Sequence, residues 1–290
     1  IISPKQDKNN CWFNTSVMVF FISDLGRKFS KYFRNYCITG NIENIYQSDP
    51  TLRISLFYLN IYIDACIQGS IYSVYLNSNY IINRIYKTIP YDQFIRDGNS
   101  RGCPLRYYYS LISKLNLSES DSFNPLYEVT LGSKGLSSLS VLINYIEQES
   151  LFSSQNSVHL KKENSFSVFP EKLRDFPDIL LLYIDIQKFP HLQISDKEKY
   201  IKINRTIYCL DSIIIVHLNQ PHVCCLITIN NEYFLYDGAS FKHLIPFNWM
   251  KYLNSSKDIN FECYTKGQKN IGTINLRKSP QQILVYYRVK

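Results

Sequence analysis

The sequence predicts an α+β fold in which a helical half precedes a half made of strands. Three observations lead there. Residues 11–35 form a block that is apolar nearly all round and of helical length. From about residue 166 the texture changes to short β-branched and aromatic runs separated by Asn, Asp and Pro. Across 290 residues, 45% hydrophobic and 19% charged content is that of a folded chain able to bury a large core. Helices first and strands after give one domain over 1–290, with a mainly helical sub-lobe at 1–165 packed on an antiparallel sheet at 166–290.

The first helix is expected to start at Cys11, with Asn9 or Asn10 as its cap. Trp12, Phe13, Val17–Ile22 and Leu25 leave it no polar face, so it belongs inside the protein. Residues 50–90 and 104–150 read as mainly helical, with turn signals at "RDGNSRGCP" and "SESDSFNP". The strands expected afterwards are "DILLLYIDI", "KYIKIN", "SIIIVHL", "HVCCLITI", "EYFLYDG" and "QILVYYRV". The break near 150–170 is expected to be a lobe junction within that single domain.

Composition narrows the function classes. The net charge is +8, and from Thr265 to the C-terminus six Lys or Arg stand without an acidic residue. No nucleic-acid motif accompanies them, so the strip reads as a solvated edge or tail and nucleic acid is not an expected partner. The eight cysteines at 11, 37, 66, 103, 209, 224, 225 and 263 contain no CxxC pair, so neither a zinc site nor any other metal or cofactor is expected. Scattered thiols and no secretory leader point to a reducing, cytoplasmic setting, including a host cytoplasm. No apolar run is long enough to span a bilayer. The richness in Ile, Asn, Lys and Tyr resembles that of AT-rich genomes, such as those of large DNA viruses and intracellular microbes.

One thiol stands apart. In "SPKQDKNNCWFNTSVMVFF", Cys11 lies at the boundary between polar turn formers and the apolar block. The first turn of a helix offers unpaired N–H groups and the positive end of the dipole, both of which favour the nucleophilic thiolate and an oxyanion beside it. Such a nucleophile needs a base. Of the five histidines, His159 and His191 fall in loops, His217 ends a strand, and His243 lies beyond the sheet run. His222 opens the strand "HVCCLITI", which is followed by Asn230-Asn231 and then "EYFLYDG". Asn-Asn suits a two-residue hairpin turn. With that turn Cys224 faces Asp237, and His222 becomes the diagonal neighbour of Asp237 on one face, roughly 7–8 Å away at Cα. A carboxylate there can fix the imidazole tautomer, and the imidazole can activate a thiol. A one-residue slip would destroy the pairing. Gln6 could point its amide at the space beside the Cys11 N–H as an oxyanion donor, with Asn9 and Asn10 as competitors.

Together these residues resemble the ubiquitin-specific protease family, papain-like cysteine peptidases that remove ubiquitin. "QDKNNCWFNTS" is similar to that family's Cys box, "FPDILLLYIDIQKF" to its Pro-then-apolar strand, and "YCLDSIIIVHLNQPHVCCLITINNEYFLYDG" to the strands bearing its His and its Asp or Asn. The resemblance implies a papain-like fold with Cys11 as nucleophile, His222 as base, Asp237 as third member, Gln6 at the oxyanion position and His217 as a histidine outside the triad. It implies ubiquitin or a ubiquitin-like modifier as partner. Three positions depart from the pattern: Pro221 replaces the usual Gly, Val223 the usual aromatic, and Gln6 the usual Asn. The family's paired CxxC motifs are missing, and residues 40–165 carry almost none of the resemblance. The expected activity is a deubiquitinase acting through a thioester acyl-enzyme. The alternatives are a viral or microbial polyprotein-processing protease with the same triad, and a non-catalytic binding module that keeps the fold.

Overall fold

The computed structural model describes residues 1–39, 50–70, 77–87, 102, 126–131, 139–140, 143, 177–185, 194–217, 222–240, 242–265, 268–277 and 281–289. Helix α1 runs over Cys11–Val17 and continues as a π-helical turn through Met18–Ile22, every residue buried. Helix α2 is Asp24–Thr39, α3 Pro50–Gln68 and α4 Ser78–Tyr86. The single helix expected over 11–35 is therefore two helices, broken at Ser23, whose backbone turns extended (φ −58°, ψ 159°). The side chain explains the break. The Ser23 hydroxyl donates to the Val19 carbonyl and accepts the Gly26 N–H, closing one helix and capping the next. Gly26 is needed there, because a Cβ would lie 2.5 Å from the Val19 carbonyl oxygen.

Ten strands follow: β1 Leu126–Leu131, β2 Ile179–Asp185, β3 Tyr200–Ile203, β4 Thr206–His217, β5 His222–Ile229, β6 Glu232–Tyr236, β7 Leu244–Pro246, β8 Ile259–Thr265, β9 Gln268–Ile274 and β10 Gln281–Arg288. Eight form one sheet in the order β1-β2-β10-β4-β5-β6-β7, with β3 on β4; β8 and β9 form a separate hairpin. Three expectations are corrected here. Residues 126–131 lie in the segment read as helical but form a strand, and that strand runs parallel to β2, so the sheet is not wholly antiparallel. The β8–β9 hairpin had no counterpart in the sequence reading. The basic C-terminal stretch is no tail: it supplies β9 and β10, and β10 lies between β2 and β4 with Gln282–Tyr287 buried.

Strand alternation divides the core into two layers. Ile283, Val285 and Tyr287 of β10 join Ile214, Cys225 and Ile227 against α1 and its π-helical extension. Leu284 and Tyr286 join Ile213, Ile215, Cys224 and Leu226 on the opposite face, under Trp249, Leu253 and Ile274. Trp249 opens a 3-10 turn (Trp249–Tyr252), is fully buried, and donates its indole N–H to the Ile227 carbonyl at 3.2 Å. A sheet covered on both faces explains why its central strands read as continuous apolar runs.

Two devices fix the part of the sheet that matters for function. Asn230 and Asn231 both take positive φ (52° and 63°), the conformation a two-residue hairpin turn needs, and the register pairs Ile229 with Glu232 through to Cys225 with Tyr236. The two oxygens of Asp24, the first residue of α2, accept the Asn230 and Asn231 N–H groups at 2.7 Å each, so the helix clamps the turn. At Asp211 the β10–β4 register slips, and this bulge residue sends its carboxylate under the N-terminus of α2, to the Leu25 N–H. Burial, partly offset by the Ser23 side chain and by the hydrogen bond from the Leu25 N–H, raises the Asp211 carboxyl to about 7.

No helix among the described residues is long and apolar enough to cross a membrane.

Candidate active site

Cys11 opens α1 at the end of the sheet where β5 begins. The packing of α1 on β5 is fixed by the buried Thr15 hydroxyl, which donates to the Val223 carbonyl at 3.3 Å. That contact sets the helix beside the strand that starts with His222.

The structure brings Cys11, His222 and Asp237 together. His222 Nε2 lies 2.8 Å from Asp237 Oδ1. The Cys11 side chain makes a hydrogen bond to the same ring. With Nε2 committed to Asp237, Nδ1 is the nitrogen that faces the sulfur. Asp237 is almost wholly buried, and its Oδ1 also accepts the Ala239 N–H at 2.9 Å. Its backbone is held too: the Asp237 N–H donates to the His243 carbonyl, and the Asp237 carbonyl accepts the Ser240 hydroxyl. A carboxylate so restrained cannot swing from the ring.

Burial, the largest single influence on His222, favours the neutral ring. It is outweighed by the hydrogen bonds and charges of Asp237 and Cys11, which raise the imidazole from 6.5 to about 10. Its two neighbours therefore favour the imidazolium form of the ring. His243, behind the Asp237 loop, shifts the other way because it is buried near Lys5.

Gln6 reaches the neighbourhood through its backbone. Its N–H donates to the Gly238 carbonyl at 2.9 Å, while the Tyr236 hydroxyl donates to the Pro4 carbonyl at 2.7 Å. The N-terminal strand of chain is thus stitched onto the Asp237 loop. The approach requires Gly238, where a Cβ would meet the Gln6 nitrogen at 3.2 Å and the Tyr236 hydroxyl at 2.7 Å. The Gln6 side-chain amide donates to the Lys8 carbonyl at 2.9 Å, so one of its hydrogens is turned into its own loop.

Asn10 corrects a further expectation, that its side chain caps the helix. It stands at the N-cap position of α1, but its side chain makes no capping bond. Its oxygen accepts the Asp7 N–H at 2.9 Å and its amide donates to the Ser78 hydroxyl of α4 at 2.8 Å. No side chain of the cap position therefore occupies the N–H groups of the turn that carries Cys11. Asn14 and Asn79 complete the lacing, donating to the Lys5 carbonyl and to Asp7 respectively. Only a weak sign of this stands in the sequence, the Asn-rich stretches "KNN" before Cys11 and "NSN" at 77–79.

Of the other histidines, His243 contributes its backbone carbonyl to the Asp237 loop. His159 and His191 lie outside the described residues, as do both turns expected between 96 and 125 apart from Gly102, and only the backbone of His217 is described, paired with His222. Cys11, Cys66, Cys209 and Cys225 are free thiols, and among the described residues no group of three or more His, Cys, Asp or Glu could hold a metal ion.

Helices seated on a mainly antiparallel sheet give an α+β fold that is similar to that of ubiquitin-specific proteases. Solved structures show the same likeness of fold. The SAGA DUB module of Ubp8, Sgf11, Sus1 and Sgf73 bound to monoubiquitin matches with a TM-score of 0.53 at 9% identity, over 100% of this chain and 69% of that one. The same module bound to ubiquitin aldehyde matches with a TM-score of 0.51 at 10% identity, over 100% and 70%. An essential yeast splicing factor follows at 0.47 and 10%, over 100% and 69%. No known family profile and no curated protein matches the sequence.

Proposed function

We propose that this chain is a papain-like cysteine peptidase that removes ubiquitin or a ubiquitin-like modifier from its conjugates, in a single catalytic domain. The observation that carries the reading is the His222 ring held by Asp237 at 2.8 Å on one side and by the Cys11 side chain on the other. Those are the contacts nucleophilic acyl transfer by a thiol requires. Two of the solved structures whose fold it resembles contain bound monoubiquitin or ubiquitin aldehyde, which supports the choice of substrate class.

In this reading Cys11 attacks the carbonyl of the modifier's C-terminal residue as a thiolate. The tetrahedral oxyanion is held by the Cys11 backbone N–H and by the second amide hydrogen of Gln6. His222 gives its Nδ1 proton to the departing amine, leaving a thioester. It then takes a proton from water, whose attack on the thioester frees the modifier and restores the Cys11 thiolate beside the protonated ring. Asp237 keeps Nε2 protonated and Nδ1 aimed at the sulfur throughout. No metal or cofactor enters these steps. A free thiol nucleophile suits a reducing cytoplasmic compartment.

The test is covalent capture with ubiquitin carrying a C-terminal propargyl or vinyl sulfone group. One adduct, mapped to Cys11 by peptide mass spectrometry and absent in Cys11→Ser, is expected. Absence of any adduct with ubiquitin and with the ubiquitin-like modifiers would remove the deubiquitinase reading. Cleavage of a polyprotein junction in the same preparations would then favour a processing protease.

A further inference from the structure

The polar lacing between α4 and the loop before Cys11 is not explained by the triad. Asn10 and Ser78 are buried, and Tyr62 of α3 shares a hydrogen bond with Ser78 as well. The chain of contacts runs from Tyr62 through the Ser78 hydroxyl and the Asn10 amide to the Asp7 N–H. Beside it, Asn79 donates to the Asp7 carboxylate at 3.2 Å. Ser78 and Asn79 are spared for this because Asn77 caps α4, accepting the Asn79 N–H at 2.8 Å. Buried polar groups add little net stability over well-packed apolar ones, but they fix geometry closely.

The geometry they fix is that of one peptide plane. The Asn10 carbonyl points into α1, where it accepts the N–H groups of Phe13 and Asn14 at 3.1 Å each. In a trans peptide the next N–H points the opposite way. The Cys11 N–H therefore projects out of the helix start, on the side where an oxyanion would form. Asn10, whose side chain is anchored at both ends, holds the far half of that plane.

We propose that Asn10 and Ser78 are positioning residues for the oxyanion donor: the Asn10–Ser78 bridge orients the Cys11 N–H, and α4 thereby tunes acyl transfer without touching substrate. The inference rests on the acyl-transfer reading above, but not on the identity of the modifier. It separates two functions of Cys11. Attack by sulfur on an alkyl halide needs the His222 pair and no oxyanion donor, whereas acyl transfer needs both.

The experiment compares wild type with Ser78→Ala and Ser78→Thr, each checked by thermal melt, using three readouts: hydrolysis of a ubiquitin C-terminal aminocoumarin, hydrolysis of p-nitrophenyl acetate, and Cys11 alkylation by iodoacetamide followed on the Cys11 peptide. Loss of one buried hydrogen bond corresponds to about three- to tenfold. In Ser78→Ala, kcat on both substrates is expected to fall by about that factor, with KM and the alkylation rate changed less than about twofold. Ser78→Thr, which keeps the hydroxyl, is expected to restore kcat. If Ser78→Ala does not fold, Asn79→Ala takes its place with the same expectation. Wild-type kcat in the folded variant overturns the proposal. So does a parallel fall in kcat and alkylation, which would mean general disturbance of the Cys11–His222 pair. Should the wild type hydrolyse the ester and not the aminocoumarin, the modifier reading fails while the ester readout still decides this one. Hydrolysis of neither substrate by an alkylatable wild type overturns both.

Discussion

Replacing Asp237 with Asn keeps the size and shape of the side chain while removing its charge. The structure says what that charge does. His222 is raised from 6.5 to about 10, a preference for the imidazolium of roughly 5 kcal/mol, by Asp237 and Cys11 against the opposing effect of burial. A hydrogen bond to a charged partner contributes about 1.5–3 kcal/mol, so Asp237→Asn should lower the imidazole by about two units, to near pH 8. The alkaline limb of kcat/KM, where His222 no longer has a proton for the leaving amine, should move from near pH 10 to near pH 8. At neutral pH kcat should fall about ten- to hundredfold, because an Asn can also hold the ring in the wrong tautomer. Stability should report the same proton. A group raised in the folded state contributes stability that is complete below its unfolded value and lost as pH rises through the folded one. The unfolded value is common to both proteins, so the wild type's advantage over Asp237→Asn should be full below about pH 8, the variant's folded value, and disappear between about 8 and about 10. The assays are a pH–rate profile with an aminocoumarin substrate and urea unfolding at each pH. If the alkaline limb of the variant coincides with that of the wild type, Asp237 is not what keeps the imidazole charged, and its assigned role is wrong.

Other perturbations probe the remaining parts. Cys11→Ala should abolish turnover while the thermal melt and modifier binding stay near wild type, and His222→Ala should be nearly as inactive, since the two act as a unit. Asp211→Asn tests the buried bulge carboxylate: with its folded value near 7 against 3.8 unfolded, the wild type should lose up to about 4 kcal/mol relative to the variant as pH rises from 4 to 7, measured by urea midpoints. Asp24→Ala removes both acceptors from the hairpin turn. It should cost about 2 kcal/mol in denaturant unfolding and weaken hydrogen-exchange protection of Cys225–Ile229. Dialysis against EDTA should leave the turnover rate unchanged, and inactivation restored by a divalent metal would contradict the reaction scheme.

The strands of the second half were legible because their signal is local. Period-two and apolar runs bounded by Asn, Asp and Pro mark β2 to β6 and β10, and Asn230-Asn231 marks the turn. From that turn alone follows the register that sets His222 beside Asp237. The helix start at Cys11 was legible for the same reason. What was missed depends on contacts between distant segments. Nothing in residues 11–35 announces that Ser23 will end one helix and begin another, since Ser is tolerated in helix interiors and only its bonds to Val19 and Gly26 decide the matter. Residues 126–131 carry an ordinary apolar pattern, and β2 as a parallel neighbour makes them a strand.

The sequence by itself determined residue types, turn chemistry and strand register, because each is settled within a few residues by steric and hydrogen-bonding preferences. It therefore determined a His–Asp pair and a thiol at a helix start, as separate objects. Only the tertiary structure decided that the two meet, more than two hundred positions apart, because α1 is held on β5 by burial and by Thr15. It alone also turned Asn10 from a cap into a bridge to Ser78, since which partner an amide takes depends on what the fold brings within 3 Å.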